Sequence, residues 1–297
     1  HHHLFFSVCG GDEVPSFTAN RRGFVGNGSL RFPDALAAPQ LDDTFETVDA
    51  CVALRTQCSL PPKSKKEIVF VVAASNSFAE GQELVSRYGS LSAVHRGMQS
   101  AKAQWDAVTQ QIQIKTPQPS FDVMANGWLV YQNLACRMWA RSGFYQSGGA
   151  YGFRDQLQDS IGLLHCAPHL TREHIVRAAA QQFPQGDVLH WWHPQTGRGV
   201  RTHFSDDLLW LPYTVSCYVK SSGDTGVLDE RVSYIEAPLL SPEEESRYIT
   251  PTTSVVEEGI YEHCKRAILL GISRTGEHGL PLIGCGDWND GMNKIGE

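Results

Sequence analysis

Around residue 77 the chain changes texture, and the change rules out one uniform architecture. Before it, short runs rich in Phe and Val (residues 4–8 and 67–74) are separated by punctuation such as Gly10-Gly11-Asp12 and Gly26-Asn27-Gly28. The second run is bounded by Pro61-Pro62 and Asn76, so both read as antiparallel sandwich strands. After it, residues 78–88 and 92–113 lose strand alternation and fill with Ala, Gln, Glu and Lys, the composition of linker helices. Pro117 and Pro119 mark a boundary. From Ser120, a candidate cap, Phe121, Met124, Trp128, Tyr131, Ala135 and Met138 recur at spacings of three and four, which predicts a helix with that face buried.

Further helices are expected at 155–164, 171–183, 206–220 and 255–270. The last opens with a capping-box pattern at Ser254 and Glu257, and Pro212 should kink its helix or sit near its start. Long glycine- and aromatic-rich loops, 144–154 and 186–204, lie between them, and compact domains seldom keep such loops unused. Alternating helix and long loop is the pattern of an α/α barrel with its loops gathered at one end. The expected fold is therefore mixed β plus α: the end of an N-terminal β-sandwich over 1–76, a helical linker over 77–117 and part of a helical barrel over 118–297.

Formal net charge is −7 with no basic run, which argues against nucleic acid or an anionic membrane as partner and suits a neutral polar ligand. Apolar runs such as 68–74 are too short to span a bilayer, so no membrane contact is expected of this segment. The eight cysteines are scattered without a C-x-x-C pair, which points to free thiols in a reducing, cytoplasmic setting. Cys285 reads as small filler. The opening His1-His2-His3 and the abrupt stop at Glu297 suggest a piece of a longer polypeptide.

Chemistry concentrates in four stretches. Residues 284–293, GCGDWNDGMN, put Asp287 and Asp290 around Trp288, with glycines and asparagines that favour a tight loop. Trp288 can plug a core or offer a sugar ring a flat platform. Residues 147–155 bring glycines to the Arg154/Asp155 pair, a planar fork and a two-oxygen acceptor for neighbouring hydroxyls, although Asp155 could equally serve its helix start. Residues 190–201 hold two Trp and two His. They lack an acidic or cysteine third ligand at motif distance, so a sugar-binding loop using Trp191, His193, Arg198 and Arg201 is favoured over a metal site. Asp206 and Asp207 place acids beside Trp210, as ligand groups or as a helix cap.

With GAYGFRDQLQDS, HWWHPQTGRGVRTHFSDDLLWLP, the segment 223–230, YEHCKRAI and HGLPLIGCGDWNDGMN in order, the chain resembles glycoside hydrolase family 94, the inverting phosphorylases of cellobiose and chitobiose. Within it, the chain more closely resembles the phosphorylase-like region at the C-terminal end of cyclic β-1,2-glucan synthases. SFTANRRGFVGNGS fits the family's preceding sandwich. The resemblance implies an (α/α)6 barrel of the six-hairpin glycosidase kind, Asp290 as general acid, Trp288 lining the donor-sugar subsite, and Arg154 and Asp155 binding donor hydroxyls. Asp287, Trp191, His193, Arg201, Asp206 and Asp207 complete the expected substrate contacts. Gly149 stands where cellobiose phosphorylases carry an arginine, which favours the glucan-synthase branch.

The expected partners are a β-glucan oligosaccharide and inorganic phosphate as co-substrate, with no other cofactor and no metal. A homodimer, or the cytoplasmic portion of a membrane-anchored synthase, is compatible with an intact parent. The family's barrel continues past the aspartate loop and draws its phosphate ligands from later loops. A 297-residue piece is therefore expected to leave helical apolar faces partly uncovered and to lack phosphorylase activity. Two rivals remain: an inverting hydrolase in which Asp155, Asp206 or Asp207 activates water, and a sugar-binding domain without turnover.

Overall fold

The computed structural model of the chain describes residues 3–45, 48–141 and 148–290, in two compact units, His1–Trp105 and Asp106–Glu297. Ser147, at the head of the glycine loop, and residues 291–293, at the tail of the aspartate loop, lie outside the described residues.

In the first unit, β1 (His3–Cys9) and β2 (Ser16–Asn20) are followed by the short helix α1 (Arg21–Val25), then β3 (Ala50–Arg55) and β4 (Val69–Ser75). The two runs read as strands pair with each other, β1 antiparallel to β4 from His3↔Ser75 to Cys9↔Val69. β2 pairs antiparallel with β3 in a separate ladder. α2 (Phe78–Tyr88) starts where the Ser77 side chain accepts from the Glu80 amide at 3.3 Å. Gly81 lets α2 lie on β1, because a Cβ there would come within 1.9 Å of the Phe5 ring. α3 (Leu91–Thr109) carries the chain into the second unit.

The helical stretch from 119 to 140 begins one residue earlier than expected. Pro119 takes the first helical position, where its missing N–H costs nothing, so Gln118 is the cap and Ser120 lies inside α4 (Pro119–Val123). Wide π-type turns over Met124–Trp128 and Asn133–Ala140 flank α5 (Leu129–Gln132). Each wide turn inserts extra residues per turn and rotates the face that meets the core. Val130, Leu134 and Met138 are buried, whereas Phe121, Met124, Trp128 and Tyr131 are exposed and Ala135 is half-buried. Of the expected stripe, only Met138 is in the core.

The long loops expected at 144–154 and 186–204 contain strands. β5 (Tyr151–Gly152), β6 (Leu189–Trp192), β7 (Gly199–Thr202) and β9 (Ser246–Ile249) form an antiparallel four-stranded sheet. Tyr151 and Trp192 stack at 5.3 Å within the core. β8 (Arg231–Glu236) and β10 (Thr252–Gly259) make a second antiparallel pair. The expected capping box at Ser254 is therefore part of β10. The β-branched pair Val255-Val256 favours the strand, the Ser254 hydroxyl bonds Glu236, and the helix waits until Ile260.

α6 (Phe153–Ile161), α7 (Pro168–Ala179), α8 (Trp210–Ser222) and α9 (Ile260–Ser273) gather around one core that includes Leu157, Ile175, Phe183, Leu211 and Ile260, all fully buried. Pro212 lies in the first turn of α8, where no amide hydrogen bond is lost, and does not kink it.

Candidate active site

The site grows from the start of α6. The Gly152 amide donates to Gln156 Oε1 at 2.6 Å, closing the helix start from within, and the buried Phe153 anchors the turn. Arg154 is thereby held inside the protein, only 5% exposed. The side chain of Asp155, in the same turn, has no hydrogen-bond partner among the described residues.

The aspartate loop docks beside this turn because of two glycines. Gly284, at φ +69, lies against the His203 carbonyl, which a Cβ would approach to 2.2 Å; at Gly286 a Cβ would meet the Phe204 ring at 2.4 Å. The Ser205 amide donates to the Gly286 carbonyl at 3.0 Å. The loop then closes on itself, the Asn289 amide donating to Asp287 Oδ1 at 2.7 Å. The Asp287 side chain therefore serves its own turn, while its carbonyl accepts from Arg154 Nη1 at 2.9 Å. Cys285 donates to the Glu245 carbonyl, and burial pushes its thiol pKa up, which suits filler better than a nucleophile.

Arg154 ties the parts together. Its Nη2 donates to Asp290 Oδ1 at 2.7 Å and its Nη1 to both oxygens of Asp206 at 3.2 Å, with Asp207 Oδ1 at 3.9 Å. Burial opposes its charge, but the hydrogen bond to Asp290 and the charges of Asp206, Asp207 and Asp290 outweigh it and raise its pKa. Asp206 also accepts from Trp210 Nε1 at 3.1 Å; it stands at the N-cap of the short helix over Asp207–Leu209 with Asp207 in its first turn, but its side chain makes no cap hydrogen bond. Asp290 keeps 55% of its side chain exposed, and Trp288, 59% exposed, donates from its indole to Gln158 Oε1 at 3.3 Å. Asp290 and Trp288, two positions apart in the loop, thus both stay open to solvent.

His190 is the residue sequence reasoning left out of the site. A register shift between Leu189 and Trp191 places a bulge in β6, and such bulges re-aim side chains. His190 Nδ1 lies 2.8 Å from Asp207 Oδ2 and its Nε2 lies 3.9 Å from Asp290 Oδ2. Burial lowers the His190 pKa, but the Asp207 hydrogen bond and the charges of Asp207 and Asp290 carry it above the ordinary value. Burial pushes Asp207 up as well, opposed by its hydrogen bond to His190.

Other expected contacts lie elsewhere. Trp191 packs with Tyr248 and His193, ring centroids 5.7 and 5.3 Å away, and joins none of the Arg154 hydrogen bonds. The two histidines do not converge, His193 meeting Trp191 and His190 meeting Asp207. Arg201 is 1% exposed and faces the interior. Its donors are spent on both oxygens of Asp187, on Gln185 and on the carbonyls of Ala237 and Pro238, and its guanidinium sits 3.7 Å from the Phe183 ring centroid. A guanidinium has five N–H donors, so none is left for a sugar. In this geometry Arg201 presents no open donor to a substrate.

Among the described residues no group of three or more His, Cys, Asp or Glu is arranged to hold a metal, and no helix is long and apolar enough to cross a membrane.

The model of the Glycosyl hydrolase 94 superfamily catalytic domain matches residues 104–297, and that of the Glycosyl hydrolase 94 supersandwich domain matches residues 1–91. The chain belongs to glycoside hydrolase family 94. Family 94 relatives include the cyclic beta-(1,2)-glucan synthase NdvB of Rhizobium meliloti, 40% identical over 99% of this chain and 10% of that protein. The N,N'-diacetylchitobiose phosphorylase of Vibrio proteolyticus is 27% identical over 83% of this chain and 32% of its own length. The solabiose phosphorylase of Paenibacillus borealis is 26% identical over 94% of this chain and 33% of its own. The chain thus spans between a tenth and a third of the length of these curated relatives.

Proposed function

We propose that the chain is the acid-bearing part of an inverting, phosphate-dependent glycosyl transfer site acting on β-glucosidic oligosaccharides, β-1,2-linked by its similarity to NdvB. The observation that carries this reading is the junction of Arg154 with Asp290. One carboxyl oxygen is held by a buried cation at 2.7 Å while the side chain stays open beside Trp288. On this reading Asp290 gives its proton to the glycosidic oxygen as that bond breaks, and inorganic phosphate attacks the anomeric carbon from the opposite face. The proton lost by phosphate balances the one gained by the departing sugar. Asp155 and Trp288 hold the donor ring, and no carboxylate nucleophile is required.

We read the second unit as part of an (α/α)6 barrel, and residues 77–117 as the helical linker that follows the sandwich. The packing of α6, α7, α8 and α9 around one core supports the barrel reading. An inverting hydrolase needs a second carboxylate some ~6.5–9.5 Å from the first to activate water. Asp206 and Asp207 are committed to Arg154, Trp210 and His190, while the Asp155 side chain has no hydrogen-bond partner among the described residues.

The test uses the full-length protein with β-1,2-glucan oligosaccharides, with and without phosphate. α-Glucose 1-phosphate formed only with phosphate supports the reading. Free glucose at the same rate without phosphate would replace it with hydrolysis, and no product despite sugar binding would replace it with a binding role.

A further inference from the structure

Asp290 presents its two oxygens to two different cations. Oδ1 accepts from Arg154, which is charged at every accessible pH, while Oδ2 faces the Nε2 of His190 at 3.9 Å, whose charge depends on pH. The far side of the imidazole is fixed: Nδ1 meets Asp207 Oδ2 at 2.8 Å, and Asp207 is 2% exposed. Phe204 stands edge-on to the His190 ring at 4.4 Å, and the same ring packs against Gly286 of the aspartate loop. The bulge in β6, the turn holding Asp207 and the docking of the loop therefore converge on one line, Asp207 to His190 to Asp290. Asp207 Oδ1 is buried without a hydrogen bond among the described residues and faces Arg154 Nη1 at 3.9 Å.

We propose that His190, oriented by Asp207, is a positioning residue that holds the proton destined for Asp290 and returns it to Oδ2 after each glycosidic cleavage. The inference rests on Asp290 being the general acid. After cleavage Asp290 is a carboxylate paired with Arg154, and it must regain a proton against that pairing. The Nε2–H of the imidazolium transfers its proton to Oδ2, leaving a neutral imidazole whose Nδ1–H still donates to Asp207. Nε2 then recovers a proton from solvent. About 1 Å of approach brings Nε2 and Oδ2 into hydrogen-bond range. The charged groups acting on His190 are Asp207 in the turn before α8, Asp290 in the loop and Arg154 on α6; its own strand adds none among the described residues.

The competent form carries a protonated His190, so activity falls as pH rises through the His190 pKa. In the full-length protein, His190→Gln is expected to lower kcat for β-1,2-glucan phosphorolysis about 10-fold or more with KM little changed, and to move the basic limb of the kcat profile to lower pH. With an aryl β-glucoside, whose leaving group needs no proton, the loss should largely vanish. Asp207→Asn, which keeps shape but not charge, should move the same limb the same way and covers the case of a poorly folding His190 variant. Equal losses on both substrates with an unmoved pH profile, in either variant, would overturn the role of His190 and leave Asp290 standing. Asp290→Asn run alongside separates the two readings, since full activity there would remove the acid itself.

Discussion

Arg154 and Asp290 are 136 positions apart in sequence and joined at 2.7 Å, and the same guanidinium spans Asp206. The first turn of α6 and the aspartate loop are thus one electrostatic unit. Removing the cation would leave the carboxylates of Asp206, Asp207 and Asp290 facing one another with only Trp210 and His190 to offset them. Arg154→Ala should lower stability by about 3–5 kcal/mol and abolish turnover. Arg154→Lys, which keeps charge but loses the fork, should retain more stability than activity. Chemical denaturation of both variants against the parent checks this, and an unchanged midpoint for Arg154→Ala would show that the unit is not held by this residue.

Arg201 should behave differently although its motif also mixes Arg, Gly and Trp. Its donors are all committed inside, so Arg201→Ala should destabilise by about 3–5 kcal/mol. Material that folds should keep its sugar affinity. Calorimetric titration with a β-glucan oligosaccharide reads this, and a selective loss of affinity at full stability would return Arg201 to the substrate.

Trp288→Ala and Asp155→Ala should raise KM with a smaller effect on kcat, because stacking and hydroxyl contacts exist in ground and transition states alike. Unchanged affinity in both variants would mean that the donor sugar lies in another loop.

The extent to which sequence foretold this site depends on the kind of signal. Tight-turn chemistry is local, so the loop carrying Asp290 and the turn carrying Arg154 and Asp155 were legible from Gly, Asn and Asp alone. β5, β6 and β7 are too short for alternation to show, and β5 and β9 meet their partners across some 40 to 50 residues. Which arginine faces inward depended on Asp187, a residue outside the motif. His190 needed the bulge in β6 to reach Asp207, and a bulge is a property of pairing, not of the strand's own residues. The face of 119–140 was misread because spacing rules assume ordinary turns, and two wide ones intervene.

Acid should weaken the second unit through His174. Its ring is fully buried, neither nitrogen has a hydrogen-bond partner among the described residues, and burial, with the charges of Arg177 and Arg141, pulls its pKa down to about 3. The unfolded chain takes up this proton below about pH 6.5 and the folded chain does not. The stability contribution is therefore complete above about pH 6.5 and is lost as pH falls toward 3, amounting to about 2 kcal/mol by pH 5. His174→Leu should flatten the dependence of Tm on pH between 7 and 5. An identical slope in both proteins would place the acid sensitivity elsewhere.

Asp290→Asn in the full-length protein tests most directly whether Asp290 supplies the leaving-group proton. Glucose 1-phosphate formation from β-1,2-glucan oligosaccharides is the measurement, with binding of the oligosaccharide followed in parallel. The variant should bind sugar like the parent and lose about 10²–10⁴ in kcat, with a markedly smaller loss on an aryl β-glucoside. Parent-like turnover of the oligosaccharide by Asp290→Asn would show that another group supplies the proton.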